Sequence, residues 1–379
     1  MGNREEGRNR VVIENVKPEV DGGRFPIKRT VGEKVLVGAD IFADGSDVLS
    51  CVLKFRLEKE PALHEVSMSP LSNDRWGAEF TVTEIGRHRY ALEAWVDAFR
   101  TWQRGLEKKR GAGQNVALEL PVGADLVEAA AKRAGGSDAE RLRAYAAALR
   151  PRKKADASLP LSEELTALME RYPDRSRATV YAKELPVVVD QAAARFSAWY
   201  EMFPRSCSGR PGKHGTFKDC ERRLPYVAAM GFDVLYLPPI HPVGRAFRKG
   251  KNNTLKAGPN DPGSPWAIGS ADGGHKSIHP ELGNMQDFKR LVRKARDHGL
   301  EVALDIAFQC TPDHPYVREH PEWFRRRPDG AIQYAENPPK KYQDIYPLDF
   351  ETPTWRGLWD ELKSVVLFWA GQGIRLFRV

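Results

Sequence analysis

Two short apolar runs end in polar side chains that could take part in catalysis or ligand binding. Asp305 and Gln309 close the run that begins at Leu300. A carboxylate and an amide there could hydrogen-bond sugar hydroxyls or order a neighbouring catalytic group, although a loop-capping Asp305 is the simpler alternative. Arg378 ends a second run, and residues i and i+2 of a strand face the same side. We therefore expect Arg378 to orient a carboxylate just after Val379 and to keep it ionised.

The C-terminal half of the chain alternates strands and helices, which would place these side chains at strand ends. Helices predicted at 216–231, 285–299 and 354–373 each stop at or beside a glycine and lead directly into an apolar strand. Four strands joined by three helices correspond to the first half of a (β/α)8 TIM barrel. The loops at 240–283 and 311–353 follow strands, so this fold predicts that they line the catalytic face.

The predicted fold class is therefore all-β followed by α/β, in three domains. Residues 1–122 carry β-branched runs separated by Asp-Gly and Gly-Gly turns, which are typical of a β-sandwich. Residues 123–190 are rich in Ala, Leu, Glu and Arg, which indicates a helical insert with a polar loop at 151–160. Ser137 and Ser162 are candidate helix N-caps within it. Residues 191–379 form the half barrel.

Composition and charge limit the function classes. The 379 residues are 41% apolar and 29% charged, which is typical of a globular protein and excludes wholesale disorder. The formal net charge of +8 is spread along the chain without a basic arm, so we expect no nucleic-acid partner. No apolar run reaches the roughly 18 residues of a membrane-spanning helix, and the first residues do not form a secretory signal. We therefore expect no membrane partner.

Cysteine and histidine patterns predict neither a disulfide framework nor a metal site. The cysteines are Cys51, Cys207, Cys220 and Cys310. Their number and spacing fit no disulfide scaffold or zinc motif, so we expect reduced thiols and a cytoplasmic protein. His275, His279 and His314 lie in the long loops without ligand spacing. A GxxxxGK[ST] loop is missing from the sequence, and we predict that the protein uses no cofactor.

The last residues form an apolar, strand-like run from Ile374 to Val379. A chain that stops inside a buried strand leaves sheet partners unsatisfied. We therefore expect the chain to be truncated at its C-terminus.

The segments that carry these candidates resemble signature regions of the α-amylase superfamily (glycoside hydrolase family 13). Leu304-Asp305 resembles one region, and Phe377-Arg378-Val379 resembles the start of another, which in the family continues R-x-D with Asp as the glycosyl nucleophile. Longer motifs are similar to the branch of this superfamily that transfers maltosyl units from α-maltose 1-phosphate. These motifs are FPRS at 203–206, RKGKNN at 248–253, GSPWAIG at 263–269, HPELG at 279–283, the run 304–314 and KYQDIY at 341–346. Gln309-Cys310 replaces the Asn-His usual in amylases, which fits the same branch.

This resemblance implies donor-binding residues at matching positions. Lys249, Gln309 and Asp344 fall where the family binds its sugar donor, and an ammonium, an amide and a carboxylate suit sugar hydroxyls. The simpler alternatives are a solvated lysine, a satisfied core amide and a loop-capping carboxylate.

The resemblance also implies a phosphate contact. Asn337, Lys340 and Tyr342 match the stretch expected to meet the phosphate, and together they could hold a dianion without a metal. An ordinary polar loop is the alternative. Ser264 could border the same pocket, and Trp266 could stack on a pyranose ring, although core packing is the default for a single aromatic residue.

The implied reaction is transfer of maltosyl units from α-maltose 1-phosphate to the non-reducing end of α-1,4-glucans by a retaining double displacement. Such chemistry needs two carboxylates about 5 Å apart. The nucleophile is expected just after Val379 and the acid beyond it, so the chain alone is expected to be inactive. The implied partners are the donor, the glucan acceptor and a second copy in a homodimer. A related α-glucan hydrolase or branching enzyme and a non-catalytic glucan-binding protein remain alternatives.

Overall fold

The computed structural model describes residues 9–150 and 159–379 and divides the chain into two compact units, with the boundary between Arg195 and Phe196. The start of the chain and most of the loop predicted at 151–160 therefore lie outside the described residues. In the described part of the chain, no helix has both the length and the apolar character that crossing a membrane requires.

The first unit contains two sheets. Its strands are β1 (Val12–Lys17), β2 (Ile27–Thr30), β3 (Lys34–Phe42), β4 (Leu49–Leu57), β5 (His64–Ser67), β6 (Ser69–Pro70), β7 (Arg75–Thr81), β8 (Gly86–Val96), β9 (Thr179–Val180) and β10 (Leu185–Asp190). One sheet has the order β1-β3-β7-β6 and the other β2-β10-β8-β4-β5, with β9 paired to β8. Alternation in β3 buries Val35, Val37 and Ile41 and exposes Leu36, and the buried face packs on residues such as Leu53 of the other sheet. The β-sandwich prediction is confirmed.

Helices follow β8 in the same unit. They are α1 (Ala98–Gly111), α2 (Glu119–Arg133), α3 (Gly136–Leu149) and α4 (Glu163–Arg171). They share an apolar core that includes Trp102, Val127, Leu142 and Leu165. The side chain of Ser162 caps α4 as predicted.

Three details of the first unit differ from the sequence-based expectation. The helices begin at residue 98 rather than 123. Strand β10 lies inside the predicted helical insert, because its β-branched run LPVVVD alternates buried and half-buried residues and pairs with β8 and β2 of the sandwich. Ser137 does not cap α3, since that helix already begins at Gly136 with Gly135 as its N-cap.

The second unit is built on four parallel strands. Its strands are β11 (Trp199–Glu201), β12 (Val234–Leu237), β13 (Glu301–Asp305), β14 (Gln309–Cys310), β15 (Ala335–Asn337), β16 (Lys340–Tyr342), β17 (Tyr346–Pro347) and β18 (Leu376–Arg378). The main sheet has the order β11-β12-β13-β18, with every neighbouring pair parallel. The small strands form two separate antiparallel pairs, β14 with β17 and β15 with β16. This arrangement confirms the first half of a (β/α)8 barrel.

The helices of the second unit connect these strands. They are α5 (Phe217–Glu221), α6 (Leu224–Ala229), α7 (Met285–Asp297), α8 (Pro315–Glu319) and α9 (Trp355–Gly371). The single helix predicted at 216–231 is wrong, because the chain forms α5 and α6 with Pro225 in the first turn of the second, where a missing N–H does no harm. Gly231, Gly299 and Gly373 adopt positive φ after their helices, as the αβ-turn prediction requires.

Candidate functional site

Asp305 lies at the carboxyl end of β13 and is almost completely buried, with 1% of its surface exposed. Its Oδ2 accepts hydrogen bonds from the Tyr236 hydroxyl and from Trp266 Nε1, the latter at 3.2 Å. The strand register sets Arg378 of β18 opposite Asp305, and Arg378 Nη1 lies 3.5 Å from the same oxygen. Asp305 therefore holds neighbouring side chains and is more than a loop cap.

The second oxygen of Asp305 is different. Oδ1 is buried and has no hydrogen-bond partner among the described residues. A buried carboxylate oxygen without a donor is costly, and such an atom is commonly satisfied by water or a bound ligand. This oxygen retains the capacity to accept a hydrogen bond.

Tyr236 is a site residue that the sequence analysis did not identify. It lies on β12, where the neighbouring side chains are apolar. Burial and the hydrogen bond to Asp305 raise the pKa of its hydroxyl, so Tyr236 remains protonated and donates to the carboxylate. The sequence does contain a sign of this role, because Tyr236 is a side chain with a polar tip within a run of buried strand residues, one strand before Asp305.

Gln309 and Trp266 are joined through the Trp266 backbone. Gln309 Nε2 donates to the carbonyl of Trp266 at 2.9 Å, while the Trp266 indole N–H donates to Asp305. Trp266 is also in edge contact with Phe203, with ring centroids 5.9 Å apart. The structure thus brings Asp305, Gln309 and Trp266 together, with Trp266 as the bridge.

Lys249 and Asp344 form a second buried group. Lys249 is 5% exposed, and its Nζ donates to Gln343 Oε1 at 2.8 Å. Asp344 is 2% exposed, and its Oδ1 has no partner among the residues that the structure describes. Burial raises the pKa of the Asp344 carboxyl, and the positive charge of Lys249 opposes that rise. Lys249 is therefore not a solvated lysine, and Gln343 is a further residue that the sequence analysis missed.

The β15–β16 hairpin carries the three residues predicted to meet phosphate. Asn337 pairs with Lys340 at the turn end of the hairpin, and both are exposed. Tyr342 is half-buried, and its carbonyl accepts a hydrogen bond from the N–H of Ile345. This short turn encloses Gln343 and Asp344, so the hairpin leads directly into the buried group. The structure places the three predicted residues on one hairpin next to Asp344.

In a buried set of possible metal ligands, His275, Cys310 and His314, both histidine rings are held by hydrogen bonds. The N–H of Tyr316 donates to His314 Nδ1 at 3.0 Å, which leaves the His314 proton on Nε2. That proton is donated to His275 Nδ1 at 3.1 Å, and His275 Nε2 donates to the Ala307 carbonyl at 2.9 Å. Burial also raises the pKa of the Cys310 thiol. The ring nitrogens of His275 and His314 are therefore engaged within the protein and offer no free lone pair to a metal.

A second set, His214, His279 and Glu281, is partly exposed. His279 Nδ1 accepts the N–H of Glu281 at 3.2 Å, which leaves a proton on Nε2. His214 Nδ1 lies 2.8 Å from the Gly215 carbonyl, so its Nε2 keeps a lone pair. Only part of this set can ligate, and it does not form a complete metal site.

Comparison with known proteins follows the division into two units. A model of the α-amylase catalytic domain matches residues 201–365. A model of the N/S domain of α-1,4-glucan:maltose-1-phosphate maltosyltransferase matches residues 9–191. The solved structure of an α-amylase from Lactobacillus plantarum is 30% identical, covers 50% of this chain and 39% of that chain, and has a TM-score of 0.40.

Curated relatives match almost the whole chain. An α-1,4-glucan:maltose-1-phosphate maltosyltransferase from Chlorobaculum tepidum is 55% identical over 99% of this chain and 56% of its own length. The protein of the same name from Methylacidiphilum infernorum is 50% identical over 99% of this chain and 56% of its own length. The chain thus spans about half the length of the curated relatives that it matches.

Parallel strands with polar side chains at their carboxyl ends, together with the domain match, define the second unit as part of an α-amylase-type catalytic domain. The first unit and the curated relatives narrow the class further. The chain belongs to the α-1,4-glucan:maltose-1-phosphate maltosyltransferase family.

Proposed function

We propose that the full-length protein transfers maltosyl units from α-maltose 1-phosphate to the non-reducing end of α-1,4-glucans and releases phosphate. The observation that carries this proposal is the buried group of Lys249 and Asp344, with an unpartnered carboxylate oxygen. A buried ammonium and a buried acceptor suit a polyhydroxylated ligand that replaces lost water contacts. The names of the relatives supply the identity of that ligand.

The proposal gives each predicted residue a role. Lys249, Gln309 and Asp344 bind the hydroxyls of the maltosyl group. Asn337, Lys340 and Tyr342 meet the phosphate, and the location of the first two at the exposed end of a hairpin suits a charged group that remains partly hydrated.

Arg378 has a positioning role in the proposal. Its contact with Asp305, which Tyr236 and Trp266 also hold, would fix the guanidinium beside the next residue of the strand. A fixed positive charge there would keep the nucleophilic carboxylate ionised.

The proposed chemistry is a retaining double displacement. The nucleophilic Asp attacks the anomeric carbon as the bond to phosphate breaks, and a Glu acid assists the leaving oxygen. The 4-hydroxyl of the glucan then attacks the glycosyl-enzyme, gives its proton to that Glu and releases the Asp. The proposal assigns both carboxylates to sequence after Val379 and donor recognition to the residues described here.

The test is phosphate release by the full-length protein, measured with α-maltose 1-phosphate in the presence and absence of glycogen. The proposal expects release that depends on glycogen. Free maltose or glucose as the sole sugar product would instead support a related hydrolase, and transfer within glucans without the phosphate donor would support a branching enzyme. Glucan binding without any turnover would support the non-catalytic alternative.

We also propose that the protein acts in the cytoplasm as a homodimer. The free, buried cysteines of the described structure are consistent with a reducing compartment. Sedimentation of the full-length protein as a monomer would contradict the dimer, and recovery in an extracytoplasmic fraction would contradict the location.

A further inference from the structure

Phe247 combines two features that protein structures usually avoid. Its backbone has a φ of 54°, in the left-handed region that bulky residues rarely adopt. Its side chain is 60% exposed, so burial of the ring does not offset the backbone strain. Strained residues of this kind are concentrated at ligand sites, where the surrounding structure fixes them for use.

The backbone around Phe247 is held in place on both sides. On the N-terminal side, Asp313 Oδ2 accepts the N–H groups of Arg245 at 2.6 Å and of Ala246 at 2.9 Å. On the C-terminal side, the Arg248 guanidinium donates to three backbone carbonyls at 2.8–3.2 Å. These carbonyls belong to Val243, Gly244 and Asp261. The exposed ring therefore projects from a fixed loop.

The loop links Phe247 to the proposed donor site. Lys249, two residues later, is 5% exposed and bonded to Gln343 beside Asp344. Within this loop, the side chain of Lys249 lies in the buried polar group, whereas the ring of Phe247 is exposed to solvent. In the proposed function, the small donor binds in the enclosed part, and the long glucan acceptor approaches from the solvent side.

We infer that Phe247 forms part of an acceptor subsite, where its ring stacks on a glucose ring of the incoming α-glucan. This inference rests on the proposed function for the identity of the acceptor. The apolar C–H face of a pyranose ring suits an exposed aromatic face, and the strained, anchored backbone keeps that face oriented before the glucan arrives.

The experiment uses the full-length protein and four variants. Phe247→Ala removes the ring, Phe247→Trp keeps an aromatic face, and Phe247→Gly removes both the ring and the backbone strain. Leu255→Ala is the matched control, since Leu255 is 69% exposed in the same long loop. Binding of maltohexaose is measured by titration calorimetry, and the KM values for glycogen and for α-maltose 1-phosphate are measured by phosphate release.

We expect Phe247→Ala and Phe247→Gly to weaken maltohexaose binding and raise the KM for glycogen by about tenfold, with the donor KM changed by less than about twofold. Phe247→Trp and Leu255→Ala should remain close to wild type. The thermal midpoint of Phe247→Gly should equal or exceed that of Phe247→Ala, because glycine accepts the left-handed backbone.

Unchanged maltohexaose binding in Phe247→Ala would overturn the inference, as would a rise confined to the donor KM. The two proposals fail separately. Wild-type protein that binds maltohexaose through Phe247 but releases no phosphate would contradict the proposed function alone. Phosphate release with binding that is insensitive to Phe247 would contradict this inference alone.

Discussion

At the residue scale, two buried carboxylates differ in what surrounds them. One oxygen of Asp305 accepts hydrogen bonds from Tyr236 and Trp266 and lies near Arg378, so this residue holds other side chains in place. Asp344, like Asp305, has one buried oxygen without a partner, but its carboxyl has a pKa raised by burial and Lys249 as the nearby opposing charge. A ligand that donates a hydrogen bond to this oxygen would therefore lower the free-energy cost of burying Asp344.

We therefore expect a substitution at Asp344 to lower the activity without lowering the stability of the protein. In Asp344→Asn, kcat/KM for the donor should fall by about 10- to 100-fold, because a hydrogen bond to a charged acceptor is lost. The thermal midpoint should stay the same or rise, since the variant removes a charge that burial disfavours. Steady-state kinetics and scanning calorimetry on the full-length protein measure both quantities.

The matched control is Asp360→Asn, on the exposed face of α9. Both its kinetics and its thermal midpoint should match wild type. A large loss of stability in Asp344→Asn without a kinetic effect would identify Asp344 as a structural residue and contradict its assignment to the donor site.

At the scale of elements, buried histidines join the long loop after β12 to the segment after β13. His314, the N-cap of α8, donates to His275, which donates to the Ala307 carbonyl. His241 lies beside them and hydrogen-bonds the Ser277 carbonyl at 3.0 Å, with its ring 5.7 Å from that of His275. Burial lowers the pKa to about 4 for His275, about 3 for His241 and about 2 for His314.

These histidines predict acid-dependent stability. Below their ordinary pKa of 6.5 they take up protons in the unfolded chain but stay neutral in the folded protein until about pH 4 or lower. The free energy of unfolding should therefore fall as pH is lowered through this window, by up to about 1.4 kcal/mol per pH unit for each histidine. Urea unfolding at several pH values measures this slope.

The slope should become shallower in His241→Asn, whose side chain does not titrate and can still donate to Ser277. In the control His298→Asn, at the exposed C-cap of α7, the slope should match wild type. An identical slope in His241→Asn and wild type would show that the buried histidines do not cause the acid sensitivity.

We predict opposite effects on stability for two glycine-to-alanine changes in the helices of the first unit. A Cβ at Gly105 of α1 would meet nothing within 4 Å, so Gly105→Ala should stabilise the protein by about 0.5–1 kcal/mol through helix propensity. A Cβ at Gly123 of α2 would lie 2.0 Å from the Trp102 ring, so Gly123→Ala should destabilise it by about 1–3 kcal/mol. Thermal unfolding of both variants is the measurement, and a shift in the same direction for both would contradict the described packing of α2 on α1.

At the scale of the whole molecule, the chain order is readable from the sequence where local signals and packing agree. Glycine-terminated helices followed by apolar runs predict the order of the parallel strands, and Asp305 and Arg378 become neighbours once β13 and β18 pair. Other features depend on contacts between distant segments. The return of β10 to the sandwich is one such case, since its pattern alone does not identify its partners β2 and β8.

The candidate site likewise combines residues that can be predicted from the sequence with features that depend on contacts between distant segments. The family resemblance predicts ligand binding by Lys249 and Asp344, but their burial arises from loops almost a hundred residues apart that meet only in the fold. Gln343 and Tyr236 escape sequence analysis because each acts through a hydrogen bond to a distant partner. The left-handed backbone of Phe247 is likewise visible only in three dimensions.

We propose above all that the full-length protein extends α-1,4-glucan with maltosyl units taken from α-maltose 1-phosphate. The most direct test is mass spectrometry of maltohexaose incubated with the donor and the full-length protein, with phosphate measured in the same samples. We predict products that grow in steps of two glucose units, with one phosphate released for each step. Phosphate released together with free maltose and unextended maltohexaose would contradict maltosyl transfer.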